Sequence, residues 1–196
     1  MRYASEHKAA TRRRIIEAAG RRFKRDGLDG SGVATLMKDA GLTNGAFYAH
    51  FESKEDLIAN AVADQLDEQR TAVDAQVRDR DGLEQFVRSY LSPAHRDNPE
   101  DGCPSAALLD EIGRCADRTK QAYTTGMLAI ADDIAVLLAP DDPASVRVQV
   151  LSVFAMMVGA LQLSRALSDR QLADEVLERA VRDVLAIVNA DRRHNS

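Results

Sequence analysis

Asn44, Tyr48 and His50 sit close together in the chain and alternate with two aromatic residues, Phe47 and Phe51. Each of the three carries a group able to hydrogen-bond to a base edge or a phosphate. Phe47 and Phe51 stand four apart, so a short helix over 44–51 turns both rings to one side and the polar groups to the other. Thr43 is a suitable N-cap for that helix. Ahead of it, Val33 to Ala40 reads as another short helix, broken at Gly41. Leu36 and Ala40 on the first helix can share a small core with Phe47 and Phe51 on the second. Two short helices around such a turn make a helix-turn-helix, whose second helix fits the major groove.

Other chemistry finds little support. The four histidines, His7, His50, His95 and His194, are scattered, with no HExxH and no Glu-x-x-His pair. No phosphate-binding glycine loop is present. Two cysteines make neither a disulfide framework nor a four-ligand zinc site of the usual kind. A helical enzyme is therefore a remote alternative, and no cofactor or metal is expected. Cys103, in Gly102-Cys103-Pro104-Ser105, lies just before a helix, where a thiol gains reactivity. Glu100 and Asp101 oppose that effect. Cys115 falls in or at the end of the same helix, too far away along it for a disulfide to Cys103.

The elements that position these residues read as helices throughout. The 196 residues include 31 alanines, only 5 % aromatics and no Trp. That composition favours helix over sandwich or barrel. Ile15, Ala19 and Phe23 recur every four residues in a first helix, which Thr11 can cap unless the chain upstream extends it, and which stops at Asp26-Gly27. Ser31 is placed to cap the helix at 33. Ser53 is placed to cap a long helix, with Asp56 three residues on, close to a capping box. Residues 92–104 read as a loop, followed by helices over 105–113, 118–139, 144–167 and 169–189. Asp191 to Ser196 reads as a frayed tail. The expectation is an all-α chain of about nine helices. Residues 1–53 would form a three-helix helix-turn-helix domain and residues 54–196 a second helical domain.

Charge is divided unevenly. Residues 1–50 hold ten Lys/Arg against five Asp/Glu, and the remainder holds sixteen against twenty-six. A basic N-terminal part on an acidic body points to a polyanionic partner. No signal peptide is recognisable at the start, which favours a cytoplasmic location. The longest uncharged run, Val148 to Ser164, is 17 residues between Arg147 and Arg165. It suits a buried helix better than a membrane span, so no membrane partner is expected.

The stretch Gly41-Leu42-Thr43-Asn44-Gly45-Ala46-Phe47-Tyr48-Ala49-His50-Phe51-Glu52-Ser53-Lys54 resembles the N-terminal domain of the TetR/AcrR family of transcriptional regulators. The detailed resemblance covers roughly residues 9–62. It implies that Thr43 and Tyr48 contact phosphates of double-stranded operator DNA, with His50 supporting that face. It implies that Lys54 meets the backbone, that Asn44 reads a base edge and that Gly45 permits close approach. Many relatives carry two Thr at the start of the first short helix, where this chain has Ser31-Gly32-Val33-Ala34.

The resemblance also implies a C-terminal ligand-binding and dimerisation domain. Residues 144–189 would pair with a second copy, and helix 148–164, apolar nearly all round, needs such cover. A charge at Leu161 or Val181 is expected to split that dimer or unfold it. Phe86, Tyr90, Leu108, Tyr123, Met127 and Met157 are the candidate lining of a pocket for a small hydrophobic or aromatic effector. The function so implied is a DNA-binding repressor released from a palindromic operator by that effector. The alternative is a repressor sensing oxidants or electrophiles through Cys103.

Overall fold

The computed structural model describes residues 2–190, and the expectations for Asp191 to Ser196 lie outside them. Nine α-helices and two 3-10 segments appear among the described residues, with no strand. They are α1 (Arg2–Asp26), α2 (Val33–Asp39), a 3-10 segment (Asn44–Ala49), α3 (Lys54–Gln76), α4 (Arg80–Tyr90) and α5 (Pro93–Asp97). A second 3-10 segment (Pro99–Asp101) precedes α6 (Pro104–Arg114), α7 (Asp117–Leu138), α8 (Pro143–Ala166) and α9 (Arg170–Ala190). The all-α reading holds, and the chain forms two compact units.

The first unit comprises residues up to Glu68 together with Glu100–Gly126. Its core follows the predicted stripe: Ile15, Ile16, Ala19 and Phe23 are buried on α1. The helix begins well before Thr11, which therefore caps nothing. It ends at Gly27, whose φ of 81° suits a residue without a Cβ. Gly32 rather than Ser31 holds the N-cap position of α2. Ser31 is instead buried, and its hydroxyl lacks a partner.

Ser53 does cap α3: its Oγ accepts from the Asp56 N–H at 3.1 Å, and the Asp56 carboxylate accepts from the Glu52 N–H at 3.1 Å. This reciprocal pair satisfies two amide donors that a helix start leaves over. Three contacts tie α1, the turn after it and α3 to the chain from Gly102 onward, in α6 and α7. The Lys24 ammonium donates to the Gly102 carbonyl at 2.9 Å, and the Leu28 N–H donates to Glu111 at 2.7 Å. Arg118 pairs with the nearly buried Asp56 at 2.7 Å.

The second unit comprises Gln69–Pro99 and the chain from Met127 onward. Its most extensive helix pair is α8 with α9. Ala131, Ala135 and Val150 form one apolar cluster, closed by Ile134, Leu138, Val146 and Leu151. Residues 92–104 are not a plain loop. Pro93 starts α5, and the Ser92 Oγ accepts from the His95 N–H at 3.2 Å. Ser-Pro is itself a helix-start signal, because proline at the first helical position gives up no hydrogen bond. The buried Arg96 guanidinium donates to Asp97 and Asp174, so its charge is paired.

Helix α8 is long and apolar enough, by length and composition alone, to cross a membrane. Its inner face is the buried one: Val150, Met157, Val158, Leu161 and Ser164. Val148, Met156 and Leu163, with Ser152 and Gly159 between them, form an exposed outer stripe. Leu161 and Val181 both lie inside the unit. A charge at either position strikes the fold first, so neither isolates an interface.

Candidate nucleic-acid interface

The site begins with a turn. Gly41 has a φ of 67°, and its N–H donates to the Lys38 carbonyl at 2.9 Å. A side chain there would be strained, so glycine sets the angle at which α2 gives way to the following segment. That segment, Asn44–Ala49, is 3-10 rather than the α-helix expected over 44–51. It is only six residues long and includes Gly45. Its exit is tightened, with the His50 N–H donating to the Phe47 carbonyl at 2.9 Å. Thr43 holds the N-cap position without a side-chain cap bond, so its hydroxyl is not committed to the helix start.

Tertiary contacts hold this segment in place. Phe47 is fully buried, and its ring lies 5.6 Å from that of Phe51. Leu36, Met37 and Ala40 close the same core from α2. Anchoring the rings inward leaves the polar side chains outward. Thr43, Asn44 and Gly45 are exposed, and Tyr48 is 75 % exposed while packing edge-on to Phe47. A Cβ built on Gly45 would meet nothing within 4 Å, so the backbone there faces open space. His50 and Lys54 are half-buried beside this surface.

The structure adds a residue that the sequence reading passed over. The Arg12 guanidinium sits 4.8 Å above the Phe51 ring and donates to Asn60 at 2.9 Å. Burial first, then Lys8 and Arg12, hold the His50 imidazole below its usual range. Its Nδ1 is buried without a partner. The run of arginines from 12 to 14 signalled charge, but only the crossing of α1 over α3 places one of them at this surface.

Elsewhere in the same unit, Arg22 forms a fork to Asp39 at 2.7 and 3.0 Å and also reaches Asp26. The guanidinium of Arg22, with Arg25 foremost at Asp26, holds both carboxyls below the usual range, Asp26 the further. The grip on α2 is therefore present above the ordinary carboxylate pKa and weakens as pH falls through the depressed values.

The six candidate pocket residues divide between the units. Phe86 and Met157 line an apolar cavity of about 40 Å³ in the second unit, with Val87, Val150 and Phe154. Gln149 is the one polar side chain in its wall. Tyr90 is buried beside it, 5.8 Å from Phe154 and 4.7 Å from His95 between ring centres. Met127 is buried in this unit too. Leu108 and Tyr123 belong to the first unit, where the Tyr123 hydroxyl meets Ser105 Oγ at 2.9 Å. Cys103 precedes α6 and is 6 % exposed, and neither cysteine is in a disulfide. Burial, with Glu111 and Asp29, pushes the Cys115 thiol up.

The family model described as "Bacterial regulatory proteins, tetR family" matches residues 15–61, the span holding α1, α2, the 3-10 segment and the start of α3. The HTH-type transcriptional regulator TtgR of Pseudomonas putida is 40 % identical over 68 residues, which are 35 % of this chain and 32 % of TtgR. The match thus spans about a third of the curated relative. Escherichia coli NemR in its reduced form has the same fold, with a TM-score of 0.75 at 18 % identity, covering 89 % of this chain and 95 % of that one. A TetR-family regulator from Cytophaga hutchinsonii gives a TM-score of 0.74 at 23 % identity, covering 92 % and 95 %. The motif and its supporting helices match at the level of sequence, and the remaining helices follow the same fold. Residues 15–61 are thus similar to the N-terminal domain of the TetR family of bacterial regulatory proteins, and the chain as a whole shares the fold of TetR-family structures.

Proposed function

We propose that this chain is a DNA-binding transcriptional repressor that holds a palindromic operator as a homodimer and is released by a small apolar effector. The observation that carries the reading is the outward row Thr43, Asn44, Gly45 and Tyr48, backed by the buried Phe47 and Phe51. Neutral donors on an anchored segment can register the protein on phosphates while Asn44 reads a base edge. His50, Lys54 and Arg12 supply the charged flank. In this reading residues 1–53 bind DNA, and residues 54–196 bind the effector and the second copy. The partner, chromosomal DNA, places the protein in the cytoplasm.

Selection of bound DNA fragments, followed by anisotropy titrations, tests the reading. Lys54→Ala is expected to weaken binding to every sequence and to reduce the slope of log K against log salt by about one. Asn44→Ala is expected to relax preference at one position per half-site, losing about 1–3 kcal/mol of discrimination. Failure of the unsubstituted chain to select any sequence from a random pool overturns the proposal.

His50 gives the reading a pH signature. In the free protein its pKa is lowered, so the imidazole is largely neutral near pH 7. A phosphate beside it raises the pKa, so DNA binding takes up a proton. Affinity should then rise as pH falls from about 8 to about 6. His50→Gln should flatten that rise, and an unchanged pH profile in the variant removes His50 from the interface.

The outer stripe of α8 supports the dimer. Val148, Met156 and Leu163 make an apolar face suited to a copy of itself across a two-fold axis. The cavity beside Phe86 and Met157 supports an apolar effector. At about 40 Å³ it is smaller than a cavity that takes up benzene, so a ligand must part the surrounding helices on entry. Binding is thereby tied to a change of shape, which is what release from DNA requires. Thiol sensing through Cys103 is the less favoured reading, because an oxidant reaches that buried sulfur only after its surroundings open.

A further inference from the structure

The apolar cavity of the second unit has a cation at its edge. Leu83 on α4, Leu138 on α7 and Val188 on α9 are among its lining residues. Arg80 stands one helical turn ahead of Leu83 on α4. Its guanidinium donates to the Leu138 carbonyl at 3.5 Å and to the Val188 carbonyl at 3.4 Å. Arg80 thus touches the backbone of two lining residues and precedes a third by one turn, which places it at the rim. No charged side chain lines the cavity itself, so this guanidinium is the charge that a molecule seated there would meet at that rim.

The hydrogen bonding of Arg80 is the second observation. Both of its bonds are long and go to neutral carbonyls, and among the described residues it forms no ion pair. The flanking acids do not serve it: the Asp79 carboxylate accepts from the Gly82 N–H at 2.8 Å as the cap of α4, and Asp81 is exposed. Half-buried and held only by these two bonds, the guanidinium keeps N–H donors in reserve. A carboxylate takes such donors in a planar fork, with charge-assisted bonds of about 2.7–2.9 Å, shorter and stronger than those Arg80 now makes.

Resting on the reading of this cavity as the effector site, we propose that the effector is a monocarboxylate with an apolar tail. The tail enters between Phe86, Val150 and Met157, and the carboxylate takes the fork of Arg80. The same exchange loosens the helices around the cavity. Leu138 is the last residue of α7, and Val188 lies two before the end of α9, so Arg80 now clasps both helix ends to the start of α4. Drawing the guanidinium onto a carboxylate opens that clasp. At about 40 Å³ the cavity admits a tail only if its helices part, and the head group releases two of them.

The test is calorimetric titration of the full-length chain, without DNA, with octanoate and with octanol at about pH 7.5, where the carboxylate is ionised. Octanoate should fill one saturable site per chain and bind at least about tenfold more tightly than octanol, the effect of a hydrogen bond between charged groups. Arg80→Gln should abolish that preference while octanol still binds. Each affinity is referred to octanol in the same variant, so a general loosening of the helix ends cancels. If Arg80→Gln melts early in circular dichroism, Arg80→Lys is read by the same ratio, which should fall several-fold because the fork is lost. Arg88→Gln, an exposed residue of α4 paired with Glu84, should leave the ratio unchanged. Octanoate binding no tighter than octanol overturns the proposal. So does a preference undiminished in the Arg80 variants, or one that falls equally with Arg88→Gln. These results leave the reading of an apolar effector standing, whereas absence of binding by both octanoate and octanol overturns the two together.

Discussion

Leu163→Asp is expected to leave each chain folded but monomeric, and to lower DNA affinity by about 10²–10⁴-fold. Leu163 is 52 % exposed on the outer stripe of α8, so a carboxylate there is hydrated in the single chain. In the proposed dimer the same carboxylate would be buried against its own symmetry mate, and two unpaired like charges in an apolar contact are strongly unfavourable. The loss on DNA follows from linkage. Two half-sites held by one dimer bind with a high effective concentration, and a monomer forfeits it without losing any contact of its own. Leu161→Asp is the contrasting substitution, because Leu161 is fully buried in the unit. It should unfold the second unit outright, by the cost of an unpaired buried charge. Sedimentation velocity separates the two outcomes, and circular dichroism melts show which chain remains folded. A dimeric Leu163→Asp chain, or an unsubstituted chain that is monomeric at about micromolar concentration, ends the proposal.

The contrast between Leu161 and Leu163 also marks how far the sequence could be read. Periodicity identified α8 as a helix needing cover, but an all-round apolar pattern carries no phase. Which side faces α9 depends on how the two helices cross, and that is absent from a single helix's sequence. Where one face is polar, the phase was legible. Ile15, Ala19 and Phe23 on α1, and Phe47 and Phe51 in the motif, are buried as their spacing required.

Helix starts were legible where a side chain makes the cap, as at Ser53. They were misread where backbone context overrides it, as at Ser31, and at Thr11 the open alternative of a helix extending upstream is the one that holds. The polar row of the candidate site stood out because its residue types are unusual between two anchoring rings. Arg12 did not, since one arginine in a run of three is singled out only by the Phe51 ring beneath it.

Phe47→Ala is expected to cost about 3–5 kcal/mol and to abolish specific DNA binding at physiological salt. The ring is fully buried and contacts both Phe51 and Tyr48. Its loss leaves a cavity that Leu36 and Met37, themselves fully buried, have little freedom to fill. The larger consequence concerns the 3-10 segment. Six residues of 3-10 helix have almost no stability of their own, so tertiary anchoring keeps Asn44–Ala49 ordered. With the anchor gone, Thr43, Asn44 and Tyr48 must be ordered by the DNA, and affinity falls by the fraction of chains in the competent form. Tyr48→Phe isolates the other half of the argument. Its ring is 75 % exposed and keeps its edge contact with Phe47, so stability should change by less than about 0.5 kcal/mol. The lost hydroxyl should nevertheless weaken binding to all sequences alike, as a phosphate contact does. Urea unfolding followed by circular dichroism, with anisotropy on operator and random duplexes, measures both effects. Equal loss of stability in the two variants would show that Tyr48 is structural, and would remove it from the DNA-contacting row.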